Sequence, residues 1–100
     1  MTIRHVVSWQ LSSVDPGEKA ENAAKIAAAL TSLRGVIDGV QSIETGTDVV
    51  GGENWDVVLI ADFDDRDALD RYQGHPEHQR VAGFIRSVVA RRSCVDFEVP

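Results

Sequence analysis

The stretch Trp55-Asp-Val-Val-Leu-Ile-Ala-Asp-Phe63 decides the fold of this chain of 100 residues. Successive side chains of a strand point to opposite faces. The odd-numbered positions of this stretch are all apolar, and Val58 and Ile60 make the other face largely apolar as well. A strand that is apolar on both faces is normally covered on both sides. The stretch therefore predicts a central strand with further structure packed on each face.

The residues before this strand predict another strand and then a helix. Apolar residues alternate from Ile3 to Leu11, which is typical of a strand, and His5 lies on its more apolar face. Asp15 can cap free helical N–H groups, and Pro16 suits the first helical position. Apolar residues then recur every three or four positions, and Gly35 is a suitable stop.

The same periodicities predict the remaining elements. They are a strand over Val40–Gly46, a loop over Asp48–Asn54, a short helix ending near Tyr72, a helix from Pro76 to about Ser87, and a strand over Val89–Val99. In the last strand we place Val89 on the same face as Val95, Phe97 and Val99.

The order of elements predicts an α+β fold with a ferredoxin-like four-stranded antiparallel sheet and helices on one face. We treat residues 1–100 as one domain. The other sheet face would carry Val6, Val58, Ile60 and Val88 or its neighbours, and such an apolar surface should not remain in water. A second copy packed sheet to sheet would cover it, so we expect a homodimer.

Composition restricts the classes of function. The formal charge is −6, and the ten Lys and Arg are scattered, so we expect no nucleic-acid partner. No apolar run approaches the ~20 residues that span a bilayer, and no signal peptide is evident, so we expect no membrane association and a cytoplasmic location. Cys94 is the only cysteine, which excludes an intramolecular disulfide.

The segment Tyr72-Gln-Gly-His75-Pro76-Glu-His78 is the main candidate for a site. Pro76 should open a helix, with His75 just before it and His78 in its first turn. We predict that His5, Tyr72 and His78 converge on the helix-covered side of the sheet. Trp9, Val57 and Leu59 should line the same pocket, together with His75.

Together with the order of elements, this segment makes the chain resemble the stress-responsive α/β-barrel (Dabb) family. The matching residues are His5-Val6-Val7, Ile37-Asp38-Gly39-Val40, Phe63 and Ala68-Leu69-x-x-Tyr72-x-x-His75-Pro76-x-His78. The resemblance implies a dimeric α/β barrel with a cavity between the sheet and the helices of each subunit. The family also contains a plant polyketide cyclase, and the tyrosine and histidine that this enzyme uses match Tyr72 and His78. A further pocket histidine of that cyclase corresponds to Val57 here.

Two interpretations of these residues follow. In the first, the protein binds a small apolar or aromatic carbonyl compound and its catalytic status is open. In the second, it is a cofactor-independent cyclase or lyase, or a related cofactor-free oxygenase. His78 would then be the base, Tyr72 the hydrogen-bond donor and His5 a positioning group. A structural role for these rings at the break between helices remains open.

We expect neither a cofactor nor a metal site. The three histidines lack the helical spacing of a zinc motif, and the aspartates that follow Phe63 are explained as helix caps. The identity of the ligand depends on the conformation of loops such as Asp48–Asn54.

Overall fold

The computed structural model of the chain describes all residues from 1 to 100. It contains four strands and three helices in the predicted order. They are β1 (Thr2–Leu11), α1 (Pro16–Thr31), β2 (Val40–Thr47), β3 (Val57–Phe63), α2 (Arg66–Gly74), α3 (Pro76–Val88) and β4 (Val89–Val99). None of the helices combines the length and the apolar character needed to cross a membrane.

The strands form one antiparallel sheet in the order β2-β3-β1-β4. The ferredoxin-like fold and the central position of β3 are confirmed. β3 begins two residues later than the sequence predicted, because Trp55 and Asp56 lie in the loop before it. The Asp56 carboxylate accepts a hydrogen bond from the Leu11 N–H at 2.8 Å, which holds this loop against the end of β1.

The helices begin at the predicted caps. The Asp15 carboxylate accepts a hydrogen bond from the Glu18 N–H at 2.8 Å, and Asp65 accepts one from the Ala68 N–H at the same distance. These bonds satisfy N–H groups that the first turn of a helix leaves free. α1 ends at Thr31, before Gly35, and the chain continues in tight turns towards β2.

The core lies between the helices and one face of the sheet. Burial alternates strictly along β1, whose odd-numbered residues are all buried. The helices contribute Ile26, Leu30, Tyr72 and Val81, each at most 1% exposed. His5 is the only buried residue outside the apolar class and is 3% exposed. The sheet therefore presents a histidine to its own core.

The other sheet face has no cover within the chain. Ile60, Val95 and Phe97 lie on it and are 37%, 60% and 44% exposed. Val6 stands between Ile60 and Val95 in the strand register, so these side chains form one continuous patch. We define the outer-face patch as Val6, Val58, Ile60, Val95 and Phe97.

Two placements from the sequence are wrong for the ends of α3 and β4. Val88 is the last residue of α3, and it packs against the core instead of lying on the outer sheet face. Val89 is opposite Leu11, which faces the core, and so it does not share a face with Val95. The reason is an irregularity in the pairing with β1 between Gln10 and Leu11, which reverses the alternation.

Candidate functional site

A cavity of about 230 Å³ lies between the sheet and α3. Its apolar wall comes from β1, α1, β3 and α3, and is formed by Val7, Trp9, Leu30, Leu59, Ala82 and Ile85. The sequence predicted Trp9 and Leu59 as pocket residues, and the structure places both on this wall. Elements that are distant in the chain thus enclose one apolar space.

The cavity also has a polar side. Five residues form it, namely His5, Gln73, His78, Arg86 and Arg92. The lining contains two guanidinium groups and no carboxylate, so the electrostatic environment favours an electron-rich ligand group. An apolar wall with a few polar groups is typical of a small-molecule site.

His78 is held in the first turn of α3. Its Nδ1 lies 3.2 Å from the Gln73 carbonyl oxygen, and a carbonyl only accepts, so Nδ1 carries the proton of the neutral ring. The lone pair is then on Nε2. Burial lowers the pKa of His78, and it outweighs the bond to Gln73, which raises the pKa. Nearby positive charge on Arg86 and Arg92 lowers the pKa further, so the ring is neutral at pH 7.

Tyr72 packs directly against His78. The ring centroids are 4.3 Å apart, and the Tyr72 ring also contacts the Phe63 ring, with 4.9 Å between centroids. Tyr72 is completely buried and does not line the cavity. Its hydroxyl has no hydrogen-bond partner, and burial raises the pKa of Tyr72 to about 12. The phenol is therefore a protonated donor without an acceptor.

His5 joins this group from β1. Its ring centroid lies 6.5 Å from that of Tyr72, and both His5 and His78 line the cavity. The structure thus brings together the three rings that the sequence singled out. Tyr72 lies behind the cavity wall, where its ring packs against that of His78, which does line the cavity.

His5 has a partner that sequence reasoning missed. Its Nδ1 lies 2.5 Å from Oδ1 of Asp96, the residue directly opposite on β4. The sulfur of Cys94, two residues earlier on β4, lies 3.5 Å from the same nitrogen. Burial raises the pKa of the Cys94 thiol, and so does the charge on Asp96. Only the β1–β4 register reveals this cluster, since 91 positions separate His5 from Asp96.

Two other predicted pocket residues lie elsewhere. His75 ends α2 and caps α3, and its Nδ1 accepts a hydrogen bond from the Glu77 N–H at 3.1 Å. Val57 is buried at the start of β3, next to Trp9 in the register, but it does not line this cavity. The arginines at the cavity, Arg86 and Arg92, carried no motif that would have singled them out.

The fold and the cavity define a ferredoxin-like α+β domain with a pocket between sheet and helices. The model of the stress responsive A/B barrel domain family matches residues 3–99, and the chain therefore belongs to this family. A comparison with curated proteins finds no match.

Solved structures support the fold. A protein from Bacteroides fragilis is 29% identical with a TM-score of 0.90, over 98% of this chain and 96% of that one. A protein from Thermobifida fusca is 27% identical with a TM-score of 0.84, over 99% and 92%. Both are described as dimeric ferredoxin-like proteins of unknown function. A hydroxynitrile lyase from Passiflora edulis is 13% identical with a TM-score of 0.79, over 99% and 94%, and this likeness concerns the fold alone.

Proposed function

We propose that this protein is a homodimer that binds a small carbonyl compound in the cavity beside His5 and His78. The observation that carries the proposal is an apolar wall facing two histidines and two arginines in one cavity. Its volume of about 230 Å³ lies below the ~300–1,000 Å³ of pockets for drug-sized ligands. The ligand is therefore a compact molecule. We further propose that the protein is cytoplasmic and binds this ligand there.

The polar groups favour a carbonyl oxygen over a cation. Arg86 and Arg92 can donate hydrogen bonds to it and offset negative charge on it. His78 presents Nε2 as an acceptor, which suits a hydroxyl group or the enol form of a β-dicarbonyl compound. The aromatic and aliphatic side chains opposite would then bury the apolar part of the ligand.

The fluorescence of Trp9 offers a direct binding assay. In a Trp55→Phe background, Trp9 is the only tryptophan, and it lies on the cavity wall. We expect benzoylacetone, an aromatic β-diketone, to quench it saturably. Butylbenzene, which lacks the carbonyls, should bind at least about tenfold more weakly if each of the lost hydrogen bonds contributes ~1 kcal/mol or more.

A matched pair of substitutions on α3 locates the binding site. Ala82→Leu fills the cavity and should abolish quenching, whereas Gly83→Ala adds a methyl group where no atom lies within 4 Å. Quenching that survives Ala82→Leu unchanged would place the ligand elsewhere. Absence of quenching by benzoylacetone, or equal affinity for benzoylacetone and butylbenzene, would contradict a carbonyl-binding pocket.

The homodimer is supported by the outer-face patch and by the dimeric relatives. Packing a second copy on this face would remove contiguous apolar surface from water. Ile60→Asp places a charge in the patch, and Val50→Asp places the same charge on an exposed loop. In sedimentation at micromolar concentration, we expect wild type and Val50→Asp to be dimers and Ile60→Asp to be a monomer. A monomeric wild type, or a dimeric Ile60→Asp variant, would disprove this interface.

The packing of His78 on Tyr72 favours a second function, a cofactor-independent enzyme acting on a carbonyl compound. Nε2 of the neutral His78 could accept a proton from a carbon between two carbonyls. The Arg86 and Arg92 guanidinium groups could stabilise the resulting enolate oxygen. Tyr72 does not line the cavity, so its role would be to support the orientation of the His78 ring from behind the wall.

Deuterium uptake distinguishes this enzyme from a binding protein. With benzoylacetone in D₂O, an enzyme should accelerate exchange at the carbon between the carbonyls, and His78→Gln should remove at least about 100-fold of that acceleration. A rate equal to the uncatalysed rate, together with normal binding, would leave only the binding function.

A further inference from the structure

We propose that His5, Cys94 and Asp96 form a binding site for a divalent transition-metal ion of the zinc class. The ligand atoms are Nδ1 of His5, Sγ of Cys94 and one carboxylate oxygen of Asp96, and all lie within 4.8 Å of one another. The only cysteine of the chain and its only buried histidine thus meet at one point.

Of the three distances between pairs of ligand atoms, the two that involve the Cys94 sulfur fit a tetrahedral ion as they stand. Zinc bonds of ~2.3 Å to sulfur and ~2.0–2.1 Å to nitrogen or oxygen, at tetrahedral angles, separate the sulfur from either lighter atom by about 3.5 Å. The sulfur lies 3.5 Å from Nδ1 and 3.7 Å from Oδ1.

The third pair must open for the ion to enter. Nδ1 of His5 and Oδ1 of Asp96 are 2.5 Å apart, as in a direct hydrogen bond, and an ion between them requires about 3.3 Å. The Asp96 side chain is 40% exposed, so rotation of its carboxylate supplies this change without moving the core. The metal then replaces the proton on Nδ1 of His5 and the thiol proton of Cys94, and both protons pass to solvent.

The mixture of ligand types selects the class of ion. Imidazole nitrogen and thiolate sulfur suit zinc and its neighbours, whereas magnesium and calcium take oxygen ligands. The backbone holds the ligands in register, because His5 and Asp96 face each other across adjacent strands and Cys94 is two residues away on the same face. Three protein ligands leave a fourth position for water or a ligand, and His5 also lines the cavity.

Cobalt(II) titration of the full chain tests the site, since a thiolate bound to cobalt gives a charge-transfer band in the near ultraviolet. We expect one cobalt per chain, a band that zinc abolishes by competition, and no band in Cys94→Ser. Asp96→Asn should weaken binding at least about tenfold. Glu98→Gln makes the same carboxylate-to-amide change two residues further along β4 and should leave binding unchanged.

Asp96→Asn decides between a three-residue site and a cysteine that binds metal alone. Both informative variants alter half-buried or exposed side chains, so folding should be retained, and circular dichroism checks it. Equal cobalt affinity in wild type and Asp96→Asn would overturn the proposal. So would the absence of a thiolate band in the wild type at millimolar cobalt, which would leave His5 and Asp96 as a simple hydrogen-bonded pair.

Discussion

Replacing Tyr72 with phenylalanine should stabilise the protein. The Tyr72 hydroxyl is completely buried and has no hydrogen-bond partner. A buried polar group in this state costs about 1–3 kcal/mol. Phenylalanine keeps the ring contacts with Phe63 and His78. Losing one oxygen atom leaves a void of roughly 10 Å³, which costs only about 0.2 kcal/mol at ~24 cal/mol per Å³.

The net gain in the free energy of unfolding is therefore about 1 kcal/mol or more. For a domain of this size, 1 kcal/mol raises the melting temperature by about 4–8 °C. Urea unfolding at pH 7 and calorimetry would measure both quantities. All samples need the same protein concentration, because the stability of a dimer depends on it.

Thr31→Val is the matched control, since it also removes one hydroxyl with little change of shape. The Thr31 hydroxyl donates to the Ala27 carbonyl oxygen at 2.9 Å, so its loss should cost about 0.5–1.5 kcal/mol. A Tyr72→Phe variant that is less stable than wild type would refute the reasoning. It would show that the phenol bonds a buried water or another group in solution.

Two further predictions concern pH and backbone packing. Burial lowers the pKa of His78 in the folded protein. In the unfolded chain this histidine has its ordinary pKa of about 6.5, so as the pH falls it takes up a proton before the folded protein does. The free energy of unfolding should therefore fall as the pH is lowered from 7 to 5, and it should fall less in His78→Gln. Urea unfolding at each pH would measure this, and an equal pH dependence in the two proteins would contradict the prediction. Gly39 has φ +89°, and an added Cβ would lie 2.6 Å from Ala68 Cβ. Gly39→Ala should lower the free energy of unfolding by about 2–5 kcal/mol, because it adds both backbone strain and overpacking. Gly35→Ala is the control and should cost only about 1–2 kcal/mol, because φ is +74° there but no atom lies within 4 Å. Equal losses in the two variants would show that contact with Ala68 does not matter.

The elements were predictable because their signals are local. Asp15 and Pro16 mark the start of α1, and the alternation along β1 identifies its buried face without any knowledge of the partner strands. The face of Val89 was not predictable, because the irregularity in the β1–β4 pairing depends on how two distant segments align.

The candidate site divides in the same way. The spacing of Tyr72 and His78 around Pro76 brought these two rings together within one turn between helices, and strand parity placed His5 on the same side of the sheet. Asp96 carried no signal, because an aspartate near the end of a strand is unremarkable until its partner is known. The cavity itself needed the packing of α3 over β1 and β3.

By itself, the sequence determined the order of elements, the buried faces of β1 and β3, and the apolar character of the outer face of the sheet. These properties follow from hydrophobic periodicity and helix capping, which involve residues a few positions apart. Only the tertiary structure decided that Tyr72 lies behind the cavity wall, that Arg86 and Arg92 border it, and that His5 meets Cys94 and Asp96. Those relations depend on register and side-chain packing between distant segments, which no local pattern encodes.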